Sequence, residues 1–183
     1  MRDRDIHKNS RTMRNVMHNA LKTDAIATRY LIIGEGEIFE KPTRVHTVLG
    51  SCVAVTFYCP RKKIGALFHA LLPQKDQHRK QVTANPFVCV DSAITYICRA
   101  LFRRGIKREH IEAKIFGGAQ VLLPGEISVG ANNSTVARET LNRYNIRVVD
   151  SHIGGRQSRK IIFLSHTGDV SLKLLPSNRD SND

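Results

Sequence analysis

Val53-Ala-Val-Thr-Phe-Tyr58, Cys59-Pro-Arg-Lys-Lys63 and Ile64-Gly-Ala-Leu-Phe-His69-Ala-Leu-Leu72 together decide how this chain folds. The first and third stretches are apolar runs of strand length, and the second is a short polar connection containing proline. Two such runs so joined read as an antiparallel hairpin. Just upstream, Thr47-Val-Leu-Gly-Ser-Cys52 puts a cysteine at a glycine–serine turn that opens the first strand. The hairpin brings Cys52 and His69 toward the same end. A thiol and an imidazole within hydrogen-bond reach are the minimum for covalent acyl transfer, the thiolate attacking and the imidazole carrying the proton. A small buried cysteine and a satisfied strand histidine are the plainer reading, and the surrounding residues decide between the two.

Working outward, Tyr30-Leu-Ile-Ile33 reads as a short strand stopped by Gly34 and Gly36, and Val45 to Leu49 as another. Asn85-Pro86 reads as a helix start, since Asn caps and Pro fits the first helical position. Val90, Ala93, Ile94, Ile97, Leu101 and Phe102 follow at helical spacing, with Gly105 as the stop. A second, more polar helix is expected from Ser134 to Tyr144, capped by Asn133. Ile111–Phe116, Arg147–Val149, Lys160–Leu164 and Val170–Leu174 read as strands, separated by Gly117-Gly118, Gly154-Gly155 and Thr167-Gly168-Asp169. Many short strands and two principal helices predict a single α+β domain, with layered β-sheets and the helices packed outside. The expected division is a basic flexible extension at 1–28, a folded body at 29–175 and a frayed tail at 176–183. Gln74 to Ala84 is expected as a surface loop.

At 183 residues, with 41% hydrophobic and 25% charged, the chain has the composition of a globular domain able to bury a core. No apolar run approaches the roughly 20 residues a membrane span needs, and the charged N-terminus has no apolar stretch behind it, so a cytoplasmic location is expected. Four cysteines are too few for a disulfide scaffold. Cys52, Cys59, His69 and His78 are the conceivable metal ligands, but the spacing between the cysteines is that of neither a zinc finger nor a ribbon, and no metal is expected. The net charge of +13 invites a nucleic-acid reading. That charge is scattered, aromatics are 6% with none interleaved as a stacking platform, and no binding motif occurs, so nucleic acid is set aside. An acidic protein surface or the anionic inner leaflet accounts for the charge equally well.

Individually, Gly50-Ser51-Cys52, Gly117-Gly118 and Gly154-Gly155 are weak signals. Their order is not. Thr-Val-Leu-Gly-Ser-Cys-Val-Ala-Val (47–55), Gly-Ala-Leu-Phe-His-Ala-Leu-Leu-Pro (65–73), Lys-Ile-Phe-Gly-Gly-Ala (114–119), Val-Gly-Ala-Asn-Asn (129–133) and Gly-Gly-Arg (154–156) resemble the chemoreceptor glutamine deamidase family, CheD, over residues 30 to 175. The resemblance implies hydrolysis of glutamine side-chain amides on methyl-accepting chemotaxis receptors, without metal or organic cofactor. Some family members also hydrolyse glutamyl methyl esters, and in some bacteria the family binds a CheC-type phosphatase. It implies Cys52 as nucleophile, His69 as its catalytic partner and Thr47 as the third residue. Some family members have one residue more between the threonine and the cysteine, and that offset here holds His46. A one-residue step along a strand reverses the face, so Thr47 and His46 are competing candidates. The different-class alternative is a non-catalytic adaptor that docks on receptors or on a CheC-like protein. A histidine partner amid positive charge further leads one to expect a depressed Cys52 pKa.

Overall fold

The computed structural model describes residues 26–74, 84–120 and 129–176. The basic stretch up to residue 25, most of the 74–84 loop and the tail from 177 lie outside the described residues. Among the described residues nine strands run in the order β1 (Ala27–Tyr30), β2 (Glu35–Phe39), β3 (Thr43–Leu49), β4 (Val53–Cys59), β5 (Ile64–Ala70), β6 (Glu112–Gly117), β7 (Arg147–Ile153), β8 (Arg159–Leu164) and β9 (Val170–Leu174). The α-helices among those residues are α1 (Val90–Arg103), between β5 and β6, and α2 (Val129–Arg143), between β6 and β7.

Two mixed sheets result. One has the order β1-β3-β8-β9 and the other β2-β5-β4-β6-β7. The β4–β5 hairpin read from the sequence is present, with Val53 opposite Ala70 and Ala54 opposite His69. β4 lies at the centre of the five-stranded sheet and is covered on both faces, which is why its sequence is continuously apolar rather than alternating. Val53, Val55 and Phe57 face the helices, in one core with Ile94, Ile97 and Leu141. Ala54 and Leu67 face the other sheet, packing with Val45, Leu49, Ile161 and Phe163. β3 and β8 alternate buried and less buried positions, because one face meets that inter-sheet core and the other meets solvent. The layers are therefore sheet, sheet, helices, a single α+β domain with its helices outside.

Several boundaries differ from expectation for local reasons. The first strand falls at Ala27–Tyr30, not Tyr30–Ile33. Gly36 does not stop a strand but lies within β2, where a Cβ would meet the Phe87 ring and Phe68. Helix α1 starts at Val90, not Asn85: the Leu71 and Leu72 amides both donate to Val88 O, and Val90 N–H donates to Leu72 O. That extended pairing holds the backbone until residue 89. Asn85 instead accepts from Phe87 N–H through Oδ1 and donates to Gly34 O. Helix α2 is already helical at Val129, which puts Asn133 inside it rather than at its cap. Its end is as expected, with Asn145 in the left-handed region at φ 53°.

Candidate active site

Inward-facing residues of β3 and β5 meet at one end of the inter-sheet layer. Thr47 lies between Val45 and Leu49 in β3, so its side chain faces inward with theirs, and it is 4% exposed. His69 follows Leu67 by two positions in β5, faces the same layer, and is 3% exposed. The two side chains touch: Thr47 Oγ1 is 2.9 Å from His69 Nδ1, and it donates to the Leu31 carbonyl at 2.8 Å.

These two contacts select a tautomer. A threonine hydroxyl has one proton. With that proton directed to Leu31 O, the contact with His69 requires Nδ1–H to donate into the hydroxyl oxygen. The lone pair of the neutral ring is then on Nε2, which is buried and has no hydrogen-bond partner among the described residues. Burial pushes the His69 pKa down to about 4, with Glu35, opposite it on β2, pulling weakly the other way. At neutral pH the ring is an uncharged base with its basic nitrogen open.

Cys52, 6% exposed, sits on the turn just before β4. Because Ala54 is directly opposite His69, Cys52 is the diagonal neighbour of the histidine across the ladder. Such positions lie about 7–8 Å apart at Cα, within reach for longer side chains. Burial raises the Cys52 pKa, and the residue's own amide N–H against the sulfur lowers it by a smaller amount. This corrects the expectation of a depressed value: desolvation outweighs everything that favours the thiolate, and the resting pair is neutral thiol with neutral imidazole.

The turn is held on all sides. Gly50 O accepts from Ala119 N–H, Ser51 O from Asn133 Nδ2 and Cys52 O from Gly118 N–H. Gly117 has φ 109° and lies so close to Cys52 that a Cβ would collide with the Cys52 carbonyl. Gly118 similarly abuts Gly130 of α2. The glycine pair is thus what lets β6 and α2 close onto the Cys52 turn.

The competing candidate His46 is on the opposite face of β3, stacked on Tyr30 with ring centroids 4.9 Å apart. A cavity of about 520 Å³ runs beside β1 and β3, with His46, Val48 and Lys160 on its outer side and Thr47 and His69 on its inner side. Cys52 is not part of its wall. The other three cysteines are buried, and burial pushes the Cys98 thiol up to about 12. No group of three metal-ligating side chains occurs among the described residues. Sequence reasoning missed Leu31, whose carbonyl is set by backbone conformation and carries no residue-type signal, and Asn133, whose register inside α2 only the helix start reveals.

The class is thus a two-sheet α+β domain with a thiol, an imidazole and a hydroxyl gathered at one end of the layer between its sheets. Residues 71–174 match the family described as CheD chemotactic sensory transduction. The chain is 40% identical over 153 residues to a Nitratidesulfovibrio vulgaris protein named probable chemoreceptor glutamine deamidase CheD, covering 80% of this chain and 76% of that one. It is 39% identical over 148 residues to the like-named CheD 2 of Geobacter sulfurreducens, covering 80% and 89%. With the Maridesulfovibrio salexigens protein of the same name it shares 34% over 154 residues, covering 80% and 91%. The chain belongs to the CheD family. Among solved structures, hypothetical protein YfiH of Bacillus licheniformis aligns over 64% of this chain and 50% of its own, with TM-score 0.44 and 15% identity.

Proposed function

We propose that this protein deamidates glutamine side chains of methyl-accepting chemotaxis receptors to glutamate, through a thioester on Cys52. The observation that carries the reading is the Thr47–His69 hydrogen bond, which leaves Nε2 free at the end of the sheet where Cys52 sits. The names of the relatives, each a probable chemoreceptor glutamine deamidase, support the substrate class.

The resting charges fit a concerted first step. His69 Nε2 takes the Cys52 proton as the sulfur attacks the amide carbonyl, so no standing thiolate is needed. Backbone N–H groups of the Cys52 turn receive the negative charge that develops on the carbonyl oxygen. The imidazolium then gives its proton to the departing nitrogen, the C–N bond breaks, and ammonia leaves. Neutral again, Nε2 takes a proton from water as it attacks the thioester, and the sulfur leaves with that proton returned to it from the imidazolium as the glutamate carboxyl forms. Thr47 stays on Nδ1 throughout and keeps the ring oriented. A glutamyl methyl ester enters the same thioester, with methanol leaving in place of ammonia.

The +13 charge suits a substrate whose modification sites lie among glutamates on helical surfaces, an attraction that weakens with salt. No helix among the described residues is long and apolar enough to cross a membrane. The proposed location, which follows from the substrate class, is the cytoplasmic side beside receptors. A CheC-type phosphatase as a further partner rests on the family resemblance alone.

The test is intact-mass analysis of a receptor cytoplasmic fragment incubated with the protein. Each deamidation adds about one mass unit, an amide NH₂ becoming OH. Wild-type protein should produce the increment with stoichiometric ammonia, and Cys52→Ala protein should not. Binding without any increment in the wild type would make it the adaptor instead.

A further inference from the structure

Asn133 is wholly buried, at 0% exposure, in the first half of α2. Its side-chain NH₂ donates to Ser51 O at 3.1 Å and to Leu71 O at 3.0 Å. The orientation of the amide is fixed by these partners, since the reverse would set an oxygen against two carbonyls. Its Oδ1 has no partner among the described residues, so the polar function of this side chain is spent on those two carbonyls. An unpaired acceptor on a buried carboxamide is destabilising, which a fold needing only an apolar helix face would avoid.

The two carbonyls belong to the two halves of the proposed catalytic pair. Ser51 precedes Cys52, and Leu71 is the second residue after His69. The β4–β5 ladder ends at the Val53–Ala70 pair, so the Asn133 NH₂ ties the strands just where their own pairing stops.

The bond to Ser51 O also sets the direction of the next amide. All peptides among the described residues are trans, and the C=O and N–H of one trans peptide point in opposite directions. Asn133 comes from the helix side of the sheet, the side to which Val53 and Val55 point. With Ser51 O drawn toward that side, Cys52 N–H is directed to the other, the inter-sheet side where His69 lies. Neither Ser51 nor Cys52 N–H donates to a backbone carbonyl among the described residues.

We propose that Asn133 is a positioning residue that aims the Cys52 amide N–H at the oxyanion formed when Cys52 attacks its substrate. The inference rests on Cys52 being the nucleophile. It gives the buried asparagine of α2 a part in the acyl-transfer step without contact with substrate.

Two chemistries at the same sulfur test it. Acyl transfer builds an oxyanion, whereas alkylation by iodoacetamide displaces iodide and builds none. Asn133→Leu keeps the approximate volume without a donor, and Asn133→Asp keeps the shape. In both, kcat on the receptor fragment should fall about 10²–10³-fold with KM changed less than about threefold, as for loss of an oxyanion donor. The rate of Cys52 alkylation, read by peptide mass mapping at one pH, should stay within about threefold of wild type. Either variant retaining wild-type kcat overturns the proposal. So does a parallel fall in alkylation and turnover, or loss of the far-UV circular dichroism signal in both variants, each of which assigns Asn133 to the fold alone. A Cys52→Ala protein that still releases ammonia sinks the nucleophile itself, an outcome distinct from the others.

Discussion

Thr47 Oγ1 stands between His69 Nδ1 at 2.9 Å and the Leu31 carbonyl at 2.8 Å, so one hydroxyl ties the imidazole of β5 to β3 and to the backbone just after β1. The Leu31 end is itself held: Leu31 N–H donates to His46 O, and Ile32 N–H donates to the Glu35 carboxylate at 3.0 Å. The ring is therefore oriented by a buried neutral contact, not by an ion pair. In a desolvated layer this keeps Nε2 basic without adding charge.

Thr47→Val replaces the hydroxyl by a methyl of similar size. It should lower kcat about 10–100-fold, since the imidazole loses its fixed tautomer and orientation, while Thr47→Ser should retain most of the rate. His46→Ala, on the outer face against Tyr30, should leave kcat within about threefold. Steady-state ammonia release from a receptor fragment decides this. A slow His46→Ala protein beside a fast Thr47→Val protein would exchange their roles.

Cys52 should alkylate with a pH inflection above that of an ordinary thiol, because burial outweighs the stabilising amide. Cys98, pushed up to about 12, should be unreactive across the same range in folded protein. Mapping iodoacetamide adducts by mass from pH 6 to pH 10 checks both. An inflection below the ordinary thiol value would mean a standing thiolate–imidazolium pair and would exclude the concerted proton transfer.

His69 ties stability to pH. Its folded value near 4 lies below the ordinary 6.5, so the unfolded chain binds more protons between those limits. Stability should accordingly be full above about pH 6.5, fall on acidification toward pH 4 and level off below it, by about 3 kcal/mol from this group alone. Urea melts at pH 7 and pH 4.5 should show the loss, and His69→Gln should remove most of it. Equal losses in both proteins would place the acid sensitivity elsewhere.

The central hairpin was legible in the sequence because β4 and β5 are covered on both faces, so burial alone writes their pattern. The same logic set Cys52 and His69 at one end, and strand alternation posed the Thr47 and His46 question correctly. What sequence could not supply was backbone already committed elsewhere. Asn85-Pro86 has good helix-start chemistry, yet residues 88–90 are paired to the exit of β5, and the helix waits. Asn133 likewise has the side chain of a cap. Only with α2 already helical at Val129 does it turn inward to Ser51 and Leu71. The pKa direction at Cys52 also depended on depth of burial, which a motif does not encode.

Gly117 and Gly154 separate backbone strain from crowding at the Cys52 turn. Both have φ in the left-handed half of the map, 109° and 74°, so alanine at either strains the chain by about 1–2 kcal/mol. At Gly154 the added methyl meets nothing within 4 Å, whereas at Gly117 it runs into the Cys52 carbonyl, which also accepts from Gly118 N–H. Gly154→Ala should therefore lose stability while folded protein keeps kcat within about threefold. Gly117→Ala must move the Cys52 peptide, and a displacement near 1 Å at a reacting group costs about 10²-fold in rate. Thermal melts together with kcat measured below each midpoint separate the two effects. Equal kcat values in the two variants would show that β6 does not set the position of the Cys52 turn.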